Sequence, residues 1–255
     1  MQTVVIAVQK GGTGKSTITA HLAAGLSAYD VRTLTVDIDP QGDCTYLMLG
    51  DPPDFEPSIT RLFEEETYRG GDLVYHTRFQ GVDIVPANLS LSVKERQYIP
   101  HNETRLRDYL RVVSPMYDVA LVDCPPSLTL FTTNALMAAN YVLCPIIPEK
   151  FAVKGVRDFM QTLADTRSLN PNLKFLGVLP SIVDMRYSTH KTILNDLKET
   201  LGEYLLTPYM ISSNASIKKA AALRKTIYEY DKRAKTHKQF LKLTQYIKKV
   251  VLGGR

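Results

Sequence analysis

The chain alternates two kinds of stretch. Short runs of Val, Ile and Leu are apolar almost throughout: "TVVIAV" (3–8), "RTLTVDID" (32–39), "VDIVPA" (82–87), "YDVALVDCPP" (117–126), "YVLCPIIP" (141–148) and "LKFLGVLPSIV" (173–183). Between most of them lie segments with apolar residues at helical spacing. "STITAHLAAGLSAY" follows the first run directly, and 103–113, 131–139, 153–168 and 189–201 follow later ones. A strand that is apolar on both sides is covered on both faces, and strands joined by helices run parallel. The pattern predicts an α/β fold with a mostly parallel, doubly wound sheet flanked by helices.

The stretch 50–80 is the least regular. Its Pro and Gly residues mark loops, and the run Glu64–Glu66 reads as a solvated helix face. No repeat or linker interrupts the chain. At 255 residues it reads as one domain, 1–255, with a basic helical region from about residue 215.

Composition narrows the class. Apolar residues make up 44% of the chain, enough for a globular core. The most apolar candidate for a membrane span, "ALMAANYVLCPII", is short and contains Asn140 and Pro145. No basic stretch precedes an apolar one at the N-terminus, so no signal peptide is read. Cys44, Cys124 and Cys144 lack metal-ligand spacing and read as reduced thiols of a cytoplasmic protein. The net charge of +5 hides an asymmetry. From Ala215 to Arg255 stand twelve Lys/Arg against two acids, a net +10, which leaves the other 214 residues at −5. Charge gathered at one end suits a polyanion.

The first apolar run breaks into "VQKGGTGKST" (8–17). The phosphate-loop pattern G-x-x-x-x-G-K-[ST] fits at Gly14-Lys15-Ser16, but Gln9 stands where its first glycine belongs. The physics still holds. Gly11, Gly12 and Gly14 free the backbone to turn N–H groups toward phosphate oxygens, and a helix N-terminus follows. Lys15 is expected to reach the β/γ-phosphates, and the Ser16 hydroxyl to ligand Mg²⁺. Asp37 and Asp39, two apart in "VDIDPQGD", should point the same way while the strand lasts. Asp39 then falls at the strand's C-terminal end, where open α/β sheets bind ligands. "VALVDCPPS" delivers Asp123 from a buried strand to the metal.

These stretches together resemble the ParA/MinD family of ATPases with a deviant Walker A box, closest to its small ParA-type members. "KGGTGKST" carries that resemblance most specifically. It extends through "DIDPQG", through Asp123–Leu128 and through Asn134–Pro145, where Asn140 stands in place of the family's Asp. The resemblance implies ATP and Mg²⁺ as cofactors, with Lys10, Gly11, Gly12, Thr13, Gly14, Lys15, Ser16 and Thr17 around the phosphates. Ser16, Asp39 and Asp123 would serve the metal. Asp39 would help place the attacking water, and Lys10 would cross a homodimer to the partner's phosphates, as an arginine finger does. Asp184 and Arg186 fall where the family places groups near the adenine, with a surface ion pair as the alternative. Ile211-Ser212-Ser213-Asn214 replaces Ile-Pro-Arg-Asn, and Lys219-Ala220-Ala221 replaces Glu-Ala-Pro.

The basic region offers Lys218, Lys219, Arg224, Lys225, Lys232 and Arg233 to DNA phosphates. Only seven residues precede Val8 and no Cys/His finger exists, so binding is expected to be blind to sequence. The implied cycle is an ATP-dependent dimer that coats DNA in the nucleoid. A ParB-like partner stimulates hydrolysis and so drives plasmid or chromosome segregation, or positions another cargo. A MinD-like protein cycling on membranes is the alternative, through the amphipathic last helix "HKQFLKLTQYIKKVVLGG". An iron–sulfur carrier of the same superfamily would need paired cysteines.

Overall fold

The computed structural model describes residues 1–50, 55–64, 70–95 and 102–253. The first half holds β1 (Gln2–Ile6), α1 (Lys15–Ser27), β2 (Thr33–Asp37), α2 (Asp43–Leu49), β3 (Tyr75–His76), β4 (Val82–Val85), α3 (Leu91–Lys94) and α4 (Arg105–Val113). Then come β5 (Val119–Asp123), α5 (Leu130–Ala138), β6 (Tyr141–Ile146), α6 (Ala152–Arg167), β7 (Lys174–Pro180) and α7 (Ser188–Leu201). Three helices close the described chain: α8 (Ala215–Ala222), α9 (Ile227–Tyr230) and α10 (Lys235–Leu252).

The described strands form a sheet in the order β3-β4-β2-β5-β1-β6-β7. Every pairing is parallel except β3 with β4. From β1 the chain winds to one side, returns in β5, and continues to the other side in β6 and β7. Loops after the C-terminal ends of β1, β2, β5 and β7 therefore converge on one edge, where such sheets bind ligands.

The apolar runs are continuous because each strand feeds two cores. Val5, Leu34, Val36, Ala120, Val122 and Val142 face one cluster with Phe131 of α5 and Phe159 of α6. Val4, Ile6, Val119, Leu121 and Leu143 face the other, with Leu22 of α1 and Phe240 and Leu243 of α10. Alternate residues point to opposite faces, so one run supplies both.

Three features differ from the sequence reading. The short edge strand β3 lies inside the irregular stretch; its two residues are a strand only through pairing with β4. That stretch is also less peripheral than its loops suggest, because Ile59, Leu62 and Phe63 are fully buried. Glu64 is tied to Lys94 at 2.9 Å, while Glu65 and Glu66 lie outside the described residues. Finally, β2 stops at Asp37, short of Asp39.

Two expectations about the surface can be read directly. Most of the apolar stripe of α10 is spent in the core: Phe240, Leu243, Ile247 and Val251 are buried, Val250 stays exposed, and the helix packs on α1. No described helix is long and apolar enough to cross a membrane. Asn140 ties β6 to β1, its side-chain oxygen accepting from the Thr3 N–H at 2.8 Å. That is an acceptor's role, which either Asn or Asp can fill.

Candidate functional site

Between β1 and α1 the chain passes through the phosphate-loop residues. Gly12 and Gly14 have φ of +74° and +84°, a region that a Cβ makes costly. Thr13 between them is fully buried. The loop is braced from β7: the Ser181 hydroxyl lies 2.7 Å from the Thr13 carbonyl and 3.0 Å from that of Ile146. Gly14 caps α1, so the positive end of that helix opens on the loop.

The two lysines part company. Lys15 is only 6% exposed, and its ammonium donates to the Lys10 carbonyl at 3.2 Å inside the loop. The Lys10 side chain turns outward. Its Nζ bonds Glu149 at the rim, 2.9 Å away, with the two side chains 44% and 52% exposed.

The three aspartates also divide. Asp37 and Asp123 are register partners on β2 and β5, and both are fully buried. Asp37 does not face the cavity beside Asp39. Its carboxylate accepts from the N–H and hydroxyl of Thr45, both at 2.8 Å, and so roots α2. Burial pushes it up to about 7, against the pull of those donors. Burial, with Asp37 alongside, likewise raises Asp123 well above the carboxylate range, while Ser16 and Lys15 oppose the shift. Asp123 Oδ2 is buried without a hydrogen-bond partner, a costly state that a cation or its water would relieve. Asp39 lies past the end of β2 and lines the cavity, its Oδ1 accepting from the Gln41 N–H at 3.0 Å. Asp123, Asp39 and Ser16 are all oxygen donors. That set fits Mg²⁺, which binds through one or two carboxylates and substrate phosphates rather than an all-protein cage.

Asp39 and Ser16 border a cavity of about 550 Å³, whose lining does not include the buried Asp123; the volume is within the range of nucleotide-sized sites. Gly11, Gly12, Gly14, Lys15, Ser16 and Thr17 line one end. Ser181, Ile182 and Ile211–Asn214 line a wall, so the stretch lacking the expected Pro and Arg still occupies the cavity. Tyr46 and Leu47 of α2 face Ile217 and Lys218 of α8 on another side. Asp184 and Arg186 are not part of this lining. They bond each other, Nη2 to Oδ2 at 2.6 Å, with Arg186 88% exposed. This is the surface-pair alternative, and the pairing holds Asp184 down at about 2.

The six basic residues read for DNA separate as well. Lys219, Lys225, Lys232 and Arg233 are exposed, and Lys218 is exposed at the cavity rim. Arg224 is half-buried on the cavity wall instead, its guanidinium 5.5 Å from the centre of the Tyr46 ring. A count of charges gave no sign of that difference, because it depends on where the turn after α8 lands. Glu149, Ser181 and Tyr46 were missed for a similar reason. They come from three distant segments, and only the strand-end position of Ser181 offered a local signal. The three cysteines are buried and free. Burial raises each thiol, which leaves no surface pair to bridge a cluster.

Comparison with known proteins completes the assignment. Residues 1–175 match the AAA domain family. The chain is 32% identical to the chromosome partitioning protein ParA of Caulobacter vibrioides over 253 residues, 97% of this chain and 94% of that one. It is 30% identical to the sporulation initiation inhibitor protein Soj of Bacillus subtilis over 247 residues, covering 96% and 97%. Among solved structures, cobyrinic acid a,c-diamide synthase from Mycobacterium smegmatis, with bound ATP analogue and magnesium, superposes with a TM-score of 0.83. The two are 29% identical, over 100% of this chain and 97% of that one. With its glycine-turned loop, its buried lysine and a strand-end aspartate that has one oxygen left unpaired, this chain belongs to the ParA/MinD family of P-loop ATPases.

Proposed function

We propose that this chain is a ParA-type partition ATPase. ATP closes two copies face to face, the pair holds DNA through its basic region, and hydrolysis releases it. The observation that carries this reading is the separation of the two lysines. Lys15 alone serves its own cavity, while Lys10 stands at the rim in a weak, exposed ion pair. A cation placed there can be given to a second copy.

Within one copy, Lys15 and the backbone of Gly11–Thr17 hold the phosphates. Ser16, Asp39 and Asp123 hold Mg²⁺, which neutralises charge on the β/γ-phosphates when bound. Asp39 accepts a hydrogen bond from the attacking water and aims it along the line of transfer; positioning is most of what phosphoryl transfer asks of a protein. Lys10 from the other copy stabilises charge on the transferring group, which ties hydrolysis to pairing. Asp184 and Arg186 are left out of the site, and the base is assigned to the wall of Ile182 and Ile211–Asn214.

Lys218, Lys219, Lys225, Lys232 and Arg233 meet the phosphates of double-stranded DNA, without base readout. The working place is then the cytoplasm, on the nucleoid. A ParB-like centromere or cargo protein stimulates turnover. The amphipathic α10 does not favour the membrane-cycling alternative, because most of its apolar face is already covered.

Sedimentation with ATP tests the scheme. The Asp39→Ala variant should run as a dimer, and adding Lys10→Ala should return it to monomer with nucleotide still bound. A monomeric Asp39→Ala protein saturated with ATP would overturn the reading.

A further inference from the structure

Arg78 lies between β3 and β4, outside every motif. Its guanidinium nevertheless makes five close contacts to three separate segments. Nη1 donates to the Met48 carbonyl at 2.7 Å and Nη2 lies 3.0 Å from that of Leu47, so Arg78 caps the last turn of α2. Nη2 also lies 3.0 Å from the Arg224 carbonyl in the turn after α8. Nε and Nη2 grip both oxygens of Glu229 in α9, at 2.6 and 2.9 Å.

Glu229 is itself committed. Its Oε2 accepts from the N–H and hydroxyl of Thr226, at 2.8 and 2.9 Å, in the capping box that starts α9. From the far side α9 is held by the phosphate-loop helix, where His21 Nε2 accepts from the Ile227 N–H at 2.9 Å. The short α2 is fixed at both ends: Asp37 roots its start through Thr45 and Arg78 closes its finish. It spans about 10 Å for its seven residues. At its start lies the turn Asp39–Asp43, on the nucleotide cavity; at its finish lies the basic segment.

We propose that Arg78 is a positioning residue that makes α2 and α8–α9 move as one piece. A shift of the Asp39–Asp43 turn on nucleotide binding then reaches Lys219 and Lys225, which do not line the cavity themselves. The use of those lysines on DNA rests on the reading above; the mechanical link does not. An arginine is required, because a planar fork reaches carbonyls and a carboxylate in several directions at once. A lysine keeps the charge and loses that geometry.

Hydrogen exchange on the full chain, with and without Mg²⁺ and ATPγS, tests the link. In the wild type, nucleotide should change protection over 225–230, past the part of α8 that lines the cavity itself. In Arg78→Lys that change should vanish while ATPγS affinity and melting temperature hold. Glu229→Gln, which keeps size and weakens the grip, gives the same readout should Arg78→Lys fold poorly. A variant that keeps the wild-type change overturns the proposal, as does a wild type whose 225–230 segment ignores nucleotide. In a DNA titration, the ratio of affinities with and without ATP should fall at least about five-fold in Arg78→Lys. A wild type that binds no DNA would sink the partition reading, while the exchange result would still decide the role of Arg78.

Discussion

The phosphate loop and the basic C-terminal segment carry positive charge toward phosphates in opposite ways. The loop does it with backbone shape and a single buried ammonium, both supplied within ten residues of sequence, with Ser181 as a brace from afar. The basic segment does it with many exposed side chains, each replaceable, on a frame held by distant residues: His21 at α9, Arg78 at Glu229, and the α10 stripe on α1. Removing a cation from the first region should therefore cost far more than removing one from the second, and the costs should appear in different measurements.

The largest effect is expected at Lys15. Truncating one member of a desolvated charge pair costs about 4 kcal/mol, or about 10³-fold in affinity. Lys15→Ala should lose ATP binding by calorimetry and still fold, since in the free protein that ammonium holds one loop carbonyl. Unchanged ATP affinity would erase the contrast between the two regions.

The next effect probes the frame of the basic segment. His21 is buried, stacked on Phe240 at 4.2 Å, and takes the Ile227 N–H through Nε2 while Nδ1 faces the Thr17 carbonyl at 2.7 Å. That arrangement needs the neutral ring, and burial drives it down from 6.5 to about 4. A histidine with a lowered folded value stabilises fully above its unfolded value and loses that contribution as pH falls. The loss should run from about pH 6.5 to about pH 4 and reach about 3 kcal/mol. Asp37, raised to about 7, works oppositely: its share is present at low pH and lost as pH rises through 7. Urea melts of wild type and His21→Gln across this window separate the two. The wild type should lose its margin over the variant on acidification; parallel curves would show that His21 does not hold the frame through its neutral ring.

The contrast also explains what could be read in the sequence. The places of six strands, of several helices and of the loop were legible because each follows from local period or from glycines whose φ must be positive, whereas the order of the strands in the sheet was not. The acids were legible as a set, but their division was not. Asp37 and Asp39 share a spacing, and only the end of β2 at Asp37 sends one inward to Thr45 and the other to the cavity. Arg224 looked like its neighbours because charge was the only signal, while its place depends on a left-handed turn with φ of +54° at a non-glycine residue. Arg78 and Glu149 were invisible for a stronger reason, as their partners lie 151 and 139 residues away.

Arg224 therefore sharpens the comparison. Each of Lys219, Lys225, Lys232 and Arg233 changed to Gln should flatten the slope of log affinity for DNA against log salt by about 0.9, with ATP binding intact. Arg224→Ala should leave that slope alone and weaken nucleotide binding by about 1 kcal/mol, the scale of a cation–π contact on the cavity wall. Should Arg224→Ala flatten the slope like the others, its position beside Tyr46 would be incidental and the boundary between the regions would move.

The smallest effect is expected at Glu149, and it bears on a lysine that shares a feature of each region. Lys10 sits on the phosphate loop yet is exposed like a surface lysine, and Glu149 is the one hydrogen-bond partner of its ammonium among the described residues. An ion pair this exposed is worth about 0.5 kcal/mol or less, so Glu149→Gln should leave the melting temperature nearly unchanged. If Lys10 must leave Glu149 to reach another copy, the same substitution removes that competition and should tighten ATP-dependent pairing by about two-fold. Sedimentation of wild type and Glu149→Gln at matched ATP measures it. Weaker pairing would instead make Glu149 part of the paired face, and Lys10 would then be held by that contact rather than released from it.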